Sequence, residues 1–198
     1  MDHSLALTCH PATASASVAT VDVRLTPRSG ALLALSYAIR GRIGALRVPA
    51  PGAARFAEGL WQATCCEAFV RGDGAAAYCE FNFSPSRAWA AYRFSGYREG
   101  MTPLQDPALD PAIEVRAGSA QLVLEALIRL DRGGLLQARA ALSIALCAVI
   151  EEQGGGFSYW ALAHPPGKPD FHSPLGFALE LRRAGAGVVA PWSRADAG

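Results

Sequence analysis

The sequence predicts an all-β protein, an antiparallel and jelly-roll-like β-sandwich of about ten strands. Apolar and polar residues alternate with period two in several short runs, as strands with one buried face require. Glycine, proline and aspartate clusters punctuate the chain roughly every ten residues, the spacing of turns between short strands. No helical segments alternate with the strands, so a parallel βαβ architecture is not expected. The signal is strongest in residues 60–97, which hold two of the four tryptophans, three of the five cysteines and three of the five tyrosines.

Residues 4–9 (SLALTC) read as a first short strand, followed by a small, polar loop over 11–19. Val21–Leu25 and Ala31–Ile39 flank Pro27-Arg28-Ser29-Gly30 and read as a hairpin. Residues 41–59 carry glycines and prolines and predict a long loop with one helical turn at 53–58. In Cys65–Arg71, Cys66, Ala68 and Val70 share one face, and Cys65, Glu67, Phe69 and Arg71 the other. Across the Gly72-Asp73-Gly74 turn, Cys79, Phe81 and Phe83 oppose Tyr78, Glu80, Asn82 and Ser84. These two runs predict an antiparallel pair whose outer face displays carboxylates, an amide and aromatics. Ala88–Phe94 alternates again, and 96–111 reads as loop. Residues 113–116 and 122–130 predict two further strands, ended by a turn at 131–134.

Residues 135–152 fit two patterns. Their composition favours helix, yet Leu142, Ile144, Leu146, Ala148 and Ile150 also fall on one side of a strand. The surrounding β pattern decides for strand over 138–146 and leaves 147–153 open. Phe157–Leu162 and Phe177–Arg182 predict the last strands. Residues 1–185 read as a single domain and 186–198 as a tail anchored at most by Trp192.

Composition narrows the functional classes. Charged residues make up 18% of the 198 residues, and 18 basic side chains stand against 17 acidic ones, with a single lysine at Lys168. A nucleic-acid binder would carry a basic patch, so none is expected as a partner. The longest apolar stretch, 140–150, is about half the ~20 residues of a spanning helix, so no membrane span is expected. The opening MDHSLALTCHPAT lacks a basic and an apolar region, so no signal peptide is expected. Five cysteines without C-x-x-C spacing read as free thiols in a reducing, cytoplasmic setting.

Catalytic and nucleotide-binding motifs are missing from the sequence: no Gly-rich phosphate loop and no nucleophile elbow. His164, Asp170 and His172 lack the three or four convergent ligands of a metal site and read as part of a proline-stiffened loop. Glu67 and Glu80, on adjacent strands, have the residue types of a glycoside-hydrolysing pair. Carbohydrate binding demands less: flat aromatics for the apolar sugar face, and carboxylates, amides and arginines for the hydroxyls. Trp61, Trp160, Glu67, Glu80, Asn82 and Arg93 supply those types.

Three blocks, LWQATCCEAF, YCEFNFSPSRAWAAYRFSGYREGM and SYWALAHPPGKPDFHSPLGFALEL, resemble the DOMON-like proteins of proteobacteria, which are related to family 9 carbohydrate-binding modules. The resemblance implies two antiparallel sheets with a ligand cleft on one face. It implies that Trp61 and Trp160 sandwich a terminal sugar and that Glu67, six residues after the first, bonds its hydroxyls. Thr64-Cys65-Cys66 departs from the acidic residues that precede this glutamate in the sugar-binding relatives. Asn82 and Ala145 stand near the positions of their contacting arginine and glutamine. Some DOMON-like domains hold haem through Met and His, a pattern that Met101 with His164 or His172 could imitate.

The sequence thus reads as a binding module without a cofactor or catalysis of its own, taking a sugar or glycoconjugate. Trp61 and Trp160 would stack, Glu67, Glu80, Asn82 and Arg93 would take hydroxyls, and Lys168 and His172 would cover an anionic group. A haem or redox-cofactor domain, a glycoside-acting enzyme and a protein–protein module are the alternatives.

Overall fold

The computed structural model describes residues 2–28, 31–72, 74–106, 109–131 and 141–182. The turns expected at 131–134 and, in part, at 27–30 and 72–74 lie outside those residues, as do the start of the 138–146 strand and the tail with Trp192. The described chain is mostly β, with thirteen strands: β1 His3–Cys9, β2 Val18–Arg28, β3 Leu32–Gly41, β4 Arg55–Phe56, β5 Cys65–Gly72, β6 Tyr78–Phe83, β7 Ala88–Phe94, β8 Thr102–Pro103, β9 Ala112–Ala117, β10 Gln121–Arg129, β11 Ala141–Glu151, β12 Phe157–Ala161 and β13 Leu179–Arg182.

Two separate sheets were expected, but the hydrogen bonding is continuous. It runs β4-β7-β6-β5-β11-β12-β1-β2-β3-β10-β9 in one curled sheet, with β13 added to β11 and β8 to β7. Strand β1 makes the join. Its residues 3–7 pair with β2, and Thr8 and Cys9 pair with Ala161 and Trp160 of β12. The two halves of the curled sheet share one core. Val21, Val23, Leu35 and Ile39 of one half cluster with Cys66, Ala68, Phe81, Phe83, Ile144 and Leu146 of the other. Tyr37, fully buried, donates its hydroxyl to the Glu67 carbonyl at 2.7 Å, a polar tie between strands β3 and β5 across that core.

The halves differ in their outer faces. β3 and β10 alternate strictly between buried and accessible residues. The outer face there is polar, with ion pairs Asp22–Arg40 and Arg116–Glu125. β5, β6 and β11 are buried on both faces over most of their length. Phe69, Tyr78, Tyr92, Phe94, Cys147 and Phe171 form a second apolar cluster on their far side. The face on β5 and β6 that reads as outer is therefore an interior.

This double burial resolves the ambiguous stretch. β11 is paired with β5 on one side and with β12 and β13 on the other, so it reads as a nearly continuous apolar run that periodicity alone cannot separate from a helix. Residues 147–151 are strand. The helical turn expected at 53–58 is not formed. Arg55 and Phe56 instead pair in parallel with Ala88 and Trp89, and Phe56 packs its ring edge-on against Trp89 at 5.3 Å.

The Tyr37 tie is testable. Tyr37→Phe removes one buried hydrogen bond and should lower stability by about 1–2 kcal/mol, read as a reduced urea midpoint at unchanged m-value.

Candidate functional site

A depression of about 450 Å³ lies on the far side of β5, β6 and β11, lined by Trp61, Glu67, Glu80, Phe94, Arg98, Met101, Val149, Tyr159, Pro169, Phe171 and His172. Strand parity puts the carboxylates there. Glu67 opposes Asn82 and Phe69 opposes Glu80 in the β5–β6 register, so the two glutamates are diagonal neighbours on one face. Glu67 is only 3% exposed and Glu80 5%. A 3-10 turn, Leu60–Gln62, carries Trp61 to the rim, where the ring is 38% exposed and rests edge-on against Tyr92 with centroids 5.7 Å apart.

The two carboxyl groups are not equivalent. Asn82 Nδ2 donates to Glu80 Oε1 at 2.6 Å, while Glu80 Oε2 lies 3.8 Å from His172 Nε2. Glu67 Oε1 is buried with no hydrogen-bond partner. Burial pushes the Glu80 carboxyl up to about 7, against the Asn82 hydrogen bond and the Arg98 charge. Burial raises Glu67 well above the ordinary carboxylate range, and the Glu80 charge adds to this. Two like charges in one dry site resist ionising together. With Asn82 and Arg98 favouring the Glu80 anion, the pair keeps a proton on Glu67. The floor can thus both donate and accept a hydrogen bond.

Two loops close over this floor and are tied to each other. Asp170 accepts from the Tyr97 hydroxyl at 2.6 Å, from the Arg98 guanidinium at 2.7 Å and from the His172 backbone N–H at 3.1 Å. Arg98 sits at φ 56°, a left-handed turn that aims its own N–H at the Tyr78 hydroxyl, 3.2 Å away. The Tyr78 hydroxyl also lies 2.7 Å from His172 Nδ1. His172 Nδ1 is thus engaged by the Tyr78 hydroxyl, while Nε2 faces Glu80. Burial first, then the Arg98 charge, pushes His172 down to about 4, so the ring is neutral.

Several residues assigned from sequence stand elsewhere. Trp160 is 5% exposed in the shared core, with its Nε1 donating to Ser158 Oγ at 3.0 Å. Its neighbour Tyr159 takes the cleft face, because a one-residue step along a strand changes sides. Arg93 pairs with Cys79, on the face of β6 and β7 away from the glutamates, and its side chain is exposed. Asn82 is fully buried beside Glu80 and orients that carboxylate instead of lining the cleft. Lys168 is exposed and lies outside the lining, although Pro169 next to it is part of the wall. Trp61, Glu67, Glu80 and His172 are brought together. Sequence reasoning missed Arg98 and Tyr159. Parity within FSYWA could have found Tyr159, whereas only folding of the 96–101 loop brings in Arg98.

No family model matches the chain, and no curated protein matches it in sequence. Among solved structures, the chain is similar to a candidate carbohydrate-binding protein from Bacteroides uniformis ATCC 8492. The TM-score is 0.66 at 16% identity, over 92% of this chain and 85% of that one. It is also similar to a family 9 carbohydrate-binding module from Caldicellulosiruptor kristjanssonii in complex with glucose, with a TM-score of 0.50 at 12% identity, over 90% and 83% of the two chains. The complex of such a module with cellotriose gives 0.50 at 13% identity, over 91% and 83%. At these identities the likeness is one of fold.

The tryptophans should separate by stability. Trp160→Ala should cost about 3–5 kcal/mol in urea unfolding, and Trp61→Ala less than about 1 kcal/mol. The carboxyl pair should leave a pH signature. A carboxyl raised in the fold binds its proton more tightly there than in the unfolded chain, so its contribution to stability falls as pH rises from 4.5 through about 7. His172 works in the opposite sense, its contribution rising between about 4 and 6.5. The comparison is therefore native against Glu80→Gln: the variant should gain in melting temperature relative to native protein at pH 8, and gain less at pH 5.

Proposed function

We propose that this chain is a non-catalytic, DOMON-like β module that binds a sugar or glycoconjugate in the Trp61–Glu67–Glu80 cleft. The observation that carries the proposal is the pairing of a rim tryptophan with two desolvated carboxyl groups in one depression. The fold likeness to modules described with glucose and cellotriose supports it. In this reading the accessible Trp61 ring and Tyr159 take the apolar faces of a sugar ring. Glu80 accepts from hydroxyls, and Glu67, holding the proton, donates as well as accepts. Arg98 and His172 are held in place by Asp170 and Tyr78 before the ligand arrives, which lowers the ordering cost of binding. The free cysteines fit a reducing compartment, and a cytoplasmic location is part of the proposal.

The haem alternative fits the site poorly. Met101 and His172 do line the same cleft. A haem iron needs a free imidazole nitrogen, and His172 Nδ1 is engaged by the Tyr78 hydroxyl at 2.7 Å while Nε2 faces Glu80 Oε2 at 3.8 Å. His164 is not part of the lining, and its Nε2 contacts the Thr8 carbonyl at 2.8 Å.

Thermal shift and tryptophan fluorescence with glucose and cellotriose test the proposal. A saturating sugar should raise the melting temperature and change the emission, and Trp61→Ala should weaken binding by about tenfold or more. No shift with any mono- or disaccharide would remove the sugar reading.

A further inference from the structure

We propose that the cleft prefers a sugar bearing a protonated amine, with the ammonium group held by Glu67 and Glu80. The inference rests on the sugar-binding reading and narrows it to amino sugars.

The first ground is an unmet demand at the floor. Glu67 Oε1 is buried without a partner, and Glu80 Oε2 lies 3.8 Å from His172 Nε2, beyond hydrogen-bond distance. An ionised Glu80 is a pure acceptor, and Glu67 becomes one once it gives up its proton, so the pair calls for donors. A hydroxyl brings one donor and no charge, whereas an ammonium brings three donors and a full positive charge to a site where charge is weakly screened.

The second ground is the state of the cations already present. The Arg98 guanidinium is bonded to Asp170 at 2.7 Å, and that carboxylate also holds Tyr97 and the His172 backbone. His172 is neutral, with its Nδ1 engaged by the Tyr78 hydroxyl. Lys168 lies outside the lining. Arg98 is thus the one cation near the floor among the described lining residues, and its charge is largely answered by Asp170, so an anionic ligand such as a sugar acid would meet carboxylates.

The third ground is the wall. Trp61, Phe94 and Tyr159 line the same depression. Phe94 is stacked on Tyr78, so the accessible Trp61 is the ring placed to attract a cation as well as stack on a sugar.

In the unliganded site Glu67 holds a proton; the ammonium takes its place, and that proton leaves to solvent. No bond within the ligand is made or broken.

Calorimetric titration with D-glucosamine, D-glucose and N-acetyl-D-glucosamine, at a pH where the glucosamine amine is protonated, tests this. Glucosamine should bind at least about tenfold tighter than glucose. Acetylation, which removes the charge, should abolish that advantage. The glucosamine heat should vary with the ionisation enthalpy of the buffer, reporting proton release, and the glucose heat should not. Glu67→Gln and Glu80→Gln should bring the glucosamine-to-glucose ratio close to one. Should a variant fail to fold, the ratio and the buffer dependence of the native protein decide. Glucose binding as tightly as glucosamine would overturn the amine preference and leave the sugar reading standing. Binding of none of the three would remove both.

Discussion

The structure depends on burying both faces of β5, β6 and β11. One face packs into the core shared with β2, β3 and β10, where Tyr37 reaches across to the Glu67 carbonyl. The other face would be wet unless something covered it, and in this chain the cover is made of loops and short turns, not a second sheet. Apolar residues such as Phe69, Tyr92 and Phe94 anchor that cover. A cover built from loops is incomplete, and the gap it leaves is the cleft. The outer face of the opposite half needs no such cover, and among the described residues its own depression is lined by side chains such as Arg24, Ser36, Val123 and Glu125, not by aromatics.

Placing two glutamates on the covered face has a cost. A desolvated carboxyl without a full set of donors is unfavourable in the unliganded protein, and keeping one of them protonated is the least costly arrangement. Nothing in the packing needs them, since Cys147 and Ala145 occupy neighbouring places on the same face without charge. In the proposed function, the unmet hydrogen-bonding capacity is what a ligand would satisfy. Asp170 serves the same end from the loops: one carboxylate fixes Tyr97, Arg98 and the His172 backbone, so the walls of the cleft are positioned by the protein itself.

Local pattern and tertiary placement were legible to different degrees. β5, β6 and β7 are plain in the sequence because their residues alternate, and the structure gathers Trp61, Glu67, Glu80 and His172 along one depression. Trp160 and Arg93 were placed wrongly for one reason: residue type suggested a role, while strand parity puts each on the opposite side from the cleft. β4, only two residues long and paired in parallel, left no periodic trace. β11 looked helical because double burial removes the polar half of the alternation. Arg98 and Asp170 were invisible as partners because they are 72 residues apart, and nothing local links them.

Strand β1 has a consequence for how the molecule is made. It pairs with β2 next to it in sequence and also with β12, about 150 residues away. During synthesis the β1–β2–β3 portion can assemble early, but the sheet cannot close until β12 has left the ribosome. Until then β1 presents an open edge at Thr8 and Cys9. Closure is a long-range event that comes late, so the growing chain spends most of its synthesis with an unpaired seam, the interval in which a chaperone or a neighbouring chain could engage it.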